Sequence, residues 1–272
     1  MASQTDLLGL IEQQYPSLSP SAQQIATFIQ QHPIALVSKS TAEIARLSGT
    51  SKATVSRFFR QLGFDSHQQV KDAMLSMREK GLPLPTGEGE SDHFQQEMRN
   101  LALTFEGLKP ETIEQVVSLL ADSQRITLIG YRNAYPIALH FRQQLKQVRS
   151  TVRLLPQPGQ SLGEDLIDIP ANEVVVLLGF RRRTRIFKRI VDALSDHTTI
   201  LITDPTGQVY SNKVDHLLIC HPGQISAFDS YAAPMSLISF LANKVFERLG
   251  DQALRRATQI AAMYDQLDEL EP

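Results

Sequence analysis

Tryptophan is absent from the 272 residues, and cysteine occurs once, as Cys220 in the apolar run HLLIC. A single thiol rules out an internal disulfide framework and a thiolate metal cluster, and its neighbours mark it as a small buried hydrophobe. No apolar run approaches the ~20 residues that a membrane-spanning helix needs, so no membrane partner is expected. HxH, HExxH and CxxC spacings are missing, and so is a GxxxxGKS/T phosphate loop; no metal, no cofactor and no catalytic residue is expected. The opening MASQTDLLGLIEQQ lacks a basic segment followed by an apolar core, so it does not read as a signal peptide, and a cytoplasmic protein is expected. Charge of one sign is also lacking: 27 basic residues stand against 29 acidic ones, for a net charge of −2. What is present is a hydrophobic fraction of 42%, enough for the core of one large domain or two ordinary ones.

The balanced total hides a local excess. From Lys39 to Lys80 eight basic residues (Lys39, Arg46, Lys52, Arg57, Arg60, Lys71, Arg78, Lys80) face four acidic ones (Glu43, Asp65, Asp72, Glu79), a net charge of +4. Inside this segment TAEIARLSGTSKATVSRFFRQLGF, residues 41–64, reads as a helix-turn-helix. Ile44, Ala45 and Leu47 form the inward side of a short helix, and Gly49 supplies a corner where positive φ costs glycine little. A second helix starts near Lys52 and turns Val55, Phe58, Phe59 and Leu62 toward a core. Its outer face keeps Lys52, Thr54, Ser56, Arg57 and Arg60, the side-chain types that meet phosphates and base edges in a major groove. A buried helical hairpin would share the apolar pattern. It would less often combine a small residue at the crossing, a corner glycine and a face rich in Ser, Thr and Arg.

Around this motif, Leu7–Gln14 and Ser21–Gln31 read as amphipathic helices, with a break at Pro33, and a further helix follows Asp65 or Ser66 up to Lys80. The first module, residues 1–81, is therefore all-α. GLPLPTGEGESD, with three glycines and two prolines, reads as a linker, and a bridging helix over His93–Leu108 completes residues 82–108. From 109 to 250 strands (RITLIG, STVRLLP, EVVVLLGF, TTILITD, DHLLIC) alternate with helices. That pattern predicts an α/β doubly wound parallel sheet with its ligand at the carboxyl ends of the strands. Asp204-Pro205 reads as a turn, His140 and His197 as helix-borne surface residues, and residues 251–272 as a tail helix that contacts this domain or a second subunit.

This order of parts resembles the RpiR/MurR family of bacterial transcriptional regulators, in which a helix-turn-helix domain precedes a SIS (sugar isomerase) domain. The resemblance covers nearly the whole chain. It implies a flavodoxin-like second domain, double-stranded operator DNA as a partner, a homodimer or homotetramer, and a phosphosugar effector. The ligand loops depart from the family pattern. Where SIS domains carry GxGxS after the first strand, this chain has GYRNA: Gly130 is kept, Arg132 stands for the second glycine, and Ala134 for the serine. Where they carry SxSGxT, it has GFRRRT: Gly179 and Arg181 replace the serines, Arg182 the glycine, and Thr184 remains.

Four arginines in five residues (Arg181, Arg182, Arg183, Arg185) at a helix entry oppose the helix dipole unless an anion joins them. Guanidinium forks bind carboxylate or phosphate in bidentate fashion. The expected effector site therefore comprises Gly130, Arg132, Asn133, Gly179, Arg181, Arg182, Arg183 and Thr184, around an anionic metabolite that is a phosphosugar or a carboxylate. Only some of the arginines are expected to point inward. The competing readings are a solvated basic face or pairing with acids such as Glu164, Asp165 and Asp168 of a neighbouring subunit. Ser226 and Ser230 are candidate pocket hydroxyls. A sugar-phosphate isomerase is the alternative function, but it needs a positioned acid/base pair that these loops do not offer.

Overall fold

The computed structural model of the chain describes residues 7–32, 35–79, 90–222 and 228–271. Pro33, Lys80, most of the expected linker and Ser226 lie outside these residues. The chain divides into two compact units, Met1–Gln96 with Gly223–Asp229 and Glu97–Pro222 with Ser230–Pro272.

The first unit is helical: α1 (Leu7–Gln14), α2 (Pro20–Gln31), α3 (Ala35–Ser38), α4 (Thr41–Leu47), α5 (Lys52–Gln61) and α6 (His67–Glu79). Ser19 caps α2 and Pro20 takes its first position, where the missing N–H costs nothing. The break expected after Pro33 contains the single turn α3, because Ala35, Leu36 and Val37 are all buried and their packing extends the helical chain. A capping box starts α4: the Ser40 hydroxyl accepts from Glu43 N–H at 3.2 Å, and the Glu43 carboxylate accepts from Ser40 N–H at 2.8 Å. Those hydrogen bonds hold the Glu43 carboxyl below its ordinary pKa. Gly49 turns the corner at φ +66°, and Thr50 N–H returns to the Ala45 carbonyl at 2.8 Å. Ser51 then caps α5 through Thr54 N–H.

Ile25, Ile29, Ile44, Val55, Phe58 and Phe59 meet in the core of this unit, each at most 1% exposed. The His67 ring stacks on Phe59 with centroids 5.2 Å apart, and its Nε2 lies 2.9 Å from the Leu36 carbonyl oxygen. Burial keeps this imidazole below its usual pKa, so it packs as a neutral ring.

The boundary between the units falls within α7 (Glu90–Glu106), and in the second unit α8 (Pro110–Asp122) precedes five strands: β1 (Ile126–Gly130), β2 (Val152–Leu155), β3 (Val174–Gly179), β4 (Thr198–Thr203) and β5 (His216–Ile219). All neighbouring pairs are parallel, in the order β2-β1-β3-β4-β5, as the strand–helix alternation predicts. Every residue of β1 and β3 is buried, which explains why ITLIG and VVVLLG read as unbroken apolar runs. Successive residues supply two cores. Ile126, Leu128, Val174, Val176 and Leu178 meet α8, α9 (Ala134–Val148) and α12 (Ala232–Leu249). Ile129, Val175, Leu177 and Leu201 pack with α11 (Phe187–Ala193) on the opposite face. The short α10 (Gly163–Ile167) has no counterpart in the sequence reading, and α13 (Asp251–Leu267) follows Gly250 directly. Among the described residues no helix is long and apolar enough to cross a membrane.

Polar side chains tie the sheet unit together. The buried Arg149 guanidinium donates to the carbonyls of Leu120, Ala121 and Ser123, capping the C-terminal end of α8, and burial lowers its pKa. At the ends of β3 and β4, Arg183 Nη2 lies 2.6 Å from Asp204 Oδ1 and 2.5 Å from Thr203 Oγ1, while Nη1 donates to Thr206 Oγ1 at 2.9 Å. Its guanidinium carbon sits 5.8 Å from the ring centroids of both Phe187 and Tyr210. The two charged side chains are only 12% and 5% exposed. Arg183→Met is expected to leave the Asp204 carboxylate buried and unpaired, lowering stability by about 3 kcal/mol in denaturant unfolding. An unchanged midpoint and slope would remove this pair from the fold's supports.

Candidate effector crevice and DNA-reading helix

In an open parallel sheet the chain leaves successive strands in opposite directions at one place, and the crevice there takes ligands. Here that place lies between β1 and β3, whose loops run from Gly130 into α9 and from Gly179 into α11. Both glycines are required by close approach. A Cβ on Gly130 would fall 2.8 Å from the Ala134 carbonyl oxygen, and one on Gly179 would fall 2.5 Å from the Phe187 ring. Their role in the crevice is to let a helix and a ring come close.

The two loops then place their side chains differently. Arg132, exposed after β1, sends Nη1 to the Arg182 carbonyl oxygen at 3.3 Å, across to the loop after β3. Arg182 is exposed as well, and Arg181 is half-buried beside it. Both Arg132 and Arg182 hold left-handed backbone, at φ +55° and +64°. Such a conformation costs a residue with a Cβ about 1 kcal/mol. Arg183, expected among the effector contacts, turns to protein partners and spends its guanidinium on Asp204, Thr203 and Thr206. Arg185 is exposed. The run thus separates into an internal tie and cations at the strand end. Arg181, Arg182, Arg183 and Arg185 all precede α11, which begins at Phe187, so none of these arginines lies within the helix.

Thr184 keeps a buried hydroxyl with no hydrogen-bond partner. Asn133, the residue before α9, makes no capping bond; its side-chain amide donates to the Tyr231 hydroxyl at 3.3 Å. Tyr231 in turn meets the Phe180 ring edge-on, with centroids 5.5 Å apart. This aromatic wall escapes the sequence reading because Tyr231 lies 98 residues from Asn133. Only the sheet order brings them together. Cys220, at the end of β5, is fully buried, and burial raises its thiol pKa, with the Asp204 charge adding to the effect. It has no nucleophilic character. Asp204-Pro205 opens a 3₁₀ turn, Pro205–Tyr210, in which Asp204 is the N-cap.

In the helical unit, α5 buries Val55, Phe58 and Phe59 and exposes Lys52, Arg57 and Arg60, with Ser56 half-exposed. Thr54 is half-exposed too, but its hydroxyl lies 2.8 Å from that of Ser51 and belongs to the cap. Beside the Ser56–Arg60 flank runs an open polar groove of about 680 Å³, lined among others by Lys39, Thr41, Ser66 and Lys71.

Two family models match the chain: a helix-turn-helix domain of the rpiR family over residues 5–77, and a SIS domain over residues 119–244. A Thermotoga maritima protein called an uncharacterized HTH-type transcriptional regulator is 26% identical over 145 residues, which are 49% of this chain and 51% of that one. A similarly named protein of Caldanaerobacter subterraneus is 26% identical over 135 residues, 46% of this chain and 48% of its own length. The chain spans about half the length of the curated relatives it matches. Among solved structures, the sugar isomerase domain of an RpiR transcription factor from Sphaerobacter thermophilus superposes with a TM-score of 0.57 at 18% identity, covering 63% of this chain and 97% of that one. The NanR protein of Vibrio vulnificus, complexed with ManNAc-6P, gives a TM-score of 0.57 at 15% identity, covering 96% and 98%. These structural likenesses bear on the fold. The two family matches together span more than half of the sequence, and the chain belongs to the RpiR family, a helix-turn-helix domain joined to a SIS domain.

Proposed function

We propose that the chain is a ligand-responsive regulator of transcription, located in the cytoplasm. Its α5 helix reads operator DNA through Lys52, Thr54, Ser56, Arg57 and Arg60, and its sheet unit binds an anionic metabolite, a phosphosugar or a carboxylate. The observation that carries the reading is the crevice between β1 and β3, where Arg132 reaches the loop of Arg182 in a chain that also presents a helix-turn-helix. The contacts assigned to the ligand are Arg132, Asn133, Arg181, Arg182 and the unpartnered hydroxyl of Thr184. Gly130 and Gly179 shape the crevice, and Arg183 positions the loop through Asp204. The complex of NanR with ManNAc-6P supports a small anionic effector in general.

One short recognition helix offers little surface, so the operator is read by a homodimer or homotetramer. Exposed Leu254, Met263 and Leu267 on α13 support self-association. A regulator also fits the crevice chemistry better than an isomerase. The two loops offer guanidinium groups and no carboxylate or imidazole to move a proton at a sugar carbon.

Arg57→Ala and Arg60→Ala are each expected to weaken binding to the chain's own upstream DNA and to flatten the log–log salt slope by ~0.9 per lost phosphate contact. Band shifts over a salt series measure both, and wild-type affinity and slope in both variants would mean that α5 does not read DNA. Arg132→Ala and Arg181→Ala are expected to keep DNA affinity within about twofold while abolishing its change with effector. A normal response in both variants would place the effector elsewhere.

A further inference from the structure

We propose that occupancy of the crevice is read out by α7, with Thr104 as the positioning residue that ties this helix to the segment between β5 and α12. The proposal rests on the ligand-binding reading of the crevice and names how a ligand there reaches the chain that leads to the helix-turn-helix.

The first observation is how α7 is held. The helix crosses the boundary between the two units, so whatever fixes or frees it in the sheet unit bears on the segment leading to the other. Among its described side chains the buried ones are Asn100, 2% exposed, and Thr104, fully buried, and both are polar. Met98 and Leu103 are left 52% and 50% exposed. The next helix, α8, does the reverse and buries Val116, Val117, Leu120 and Ala121. One apolar hold on α7 is the edge-on contact of Phe105 with Phe240 of α12, centroids 5.7 Å apart. Releasing α7 therefore uncovers a hydroxyl and an amide, which water serves well, and little apolar surface. Elements with few buried apolar contacts lie at the low end of local stability, from which the moving parts of a sensor are drawn.

The second observation is what the buried polar face of α7 holds. The Thr104 hydroxyl donates to the Asn100 carbonyl at 2.7 Å and accepts from His221 N–H at 2.9 Å, just after β5. The carbonyl of the next residue, Pro222, accepts from Ser230 N–H at 3.1 Å. Tyr231 follows as the N-cap of α12, and its carbonyl accepts from Met235 N–H at 3.0 Å. Its hydroxyl is the one that accepts from the Asn133 amide in the crevice. Short stretches of chain and single hydrogen bonds thus join Asn133 to α7 through Tyr231, Ser230, Pro222, His221 and Thr104. A second connection runs along α12, which buries Leu237, Ile238 and Leu241 and so moves as a rod, with Phe240 ~14 Å of helix beyond Tyr231. A ligand that takes the Asn133 amide withdraws it from Tyr231. The segment behind Tyr231 then loosens, His221 loses its fixed place, and Thr104 lets α7 go. Docked and released α7 are the two arrangements that such coupling needs.

Hydrogen exchange of the full chain, without ligand or DNA and read by mass spectrometry on peptides from α7 and α8, tests the path. Tyr231→Phe removes the hydroxyl that meets Asn133 and keeps the ring that meets Phe180. It is expected to quicken exchange in α7 by ~2- to 10-fold, the effect of one lost hydrogen bond, and to leave α8 unchanged. Thr104→Val, similar in size, is expected to quicken α7 at least as much. In the doubled variant Tyr231→Phe should add nothing to Thr104→Val, because the path is already cut. An α7 indifferent to Tyr231→Phe, α7 and α8 quickened alike, or two effects that multiply in the doubled variant would each overturn the path. Tyr231→Phe leaves α7 itself unaltered, so it decides the matter even where Thr104→Val fails to fold. Failure of the regulator reading is a separate result: operator affinity that no small molecule changes would end that reading and leave the exchange result standing.

Discussion

The functional end of the sheet unit depends on two close approaches, that of α9 to Gly130 and that of the Phe187 ring to Gly179. Neither tolerates a Cβ, since the nearest atoms would lie 2.8 Å and 2.5 Å away. They bring the first turn of α9 and the loop after β3 onto neighbouring strand ends, and the order β2-β1-β3-β4-β5 sends the chain in opposite directions from these two strands. The Arg183–Asp204 pair then fixes the β3 loop against β4. Arg132, Asn133, Arg182 and Thr184 acquire a common location only because these contacts are made.

Within that frame the site shows a local conflict. Packing, strand pairing and capping agree with the fold almost everywhere, as in the fully buried β1 and β3 and the capping box of α4. The left-handed Arg132 and Arg182 and the orphaned hydroxyl of Thr184 depart from it at the switch point, while the left-handed Asp268 and unpartnered polar atoms of Gln144, Glu173 and His197 depart from it elsewhere. Residues that break local rules at a cost of about 1 kcal/mol each tend to gather where a protein binds something. The same concentration of strain is absent from α5, where an ordinary amphipathic helix needs only its polar face.

Much of this was legible in the residues themselves. Continuous apolar runs gave every strand of the parallel sheet, and Gly49 with the small polar residues after it located the corner of the helix-turn-helix and the start of α5. The glycine positions of the ligand loops were legible from their place after apolar runs. What the chain order could not convey was side-chain direction. Arg181, Arg182 and Arg183 are consecutive, yet Arg183 turns to Asp204, 21 residues on, because a buried carboxylate there needs a cation. Tyr231 joins the crevice through a contact 98 residues long. The helical turn at Ala35–Ser38 was hidden because four residues are too few to show a helical period.

Two sites in one chain make a sensor only if they share free energy, and shared free energy is reciprocal. The most direct measurement takes the small molecule that most raises the melting temperature and the DNA upstream of the chain's own coding sequence. Calorimetry gives the molecule's Kd for free and for DNA-bound protein, and fluorescence anisotropy gives DNA affinity with and without the molecule. The account predicts two ratios that are equal and different from one, in the range of about 5- to 150-fold typical of such coupling. Ratios of one, with both ligands bound, would contradict it.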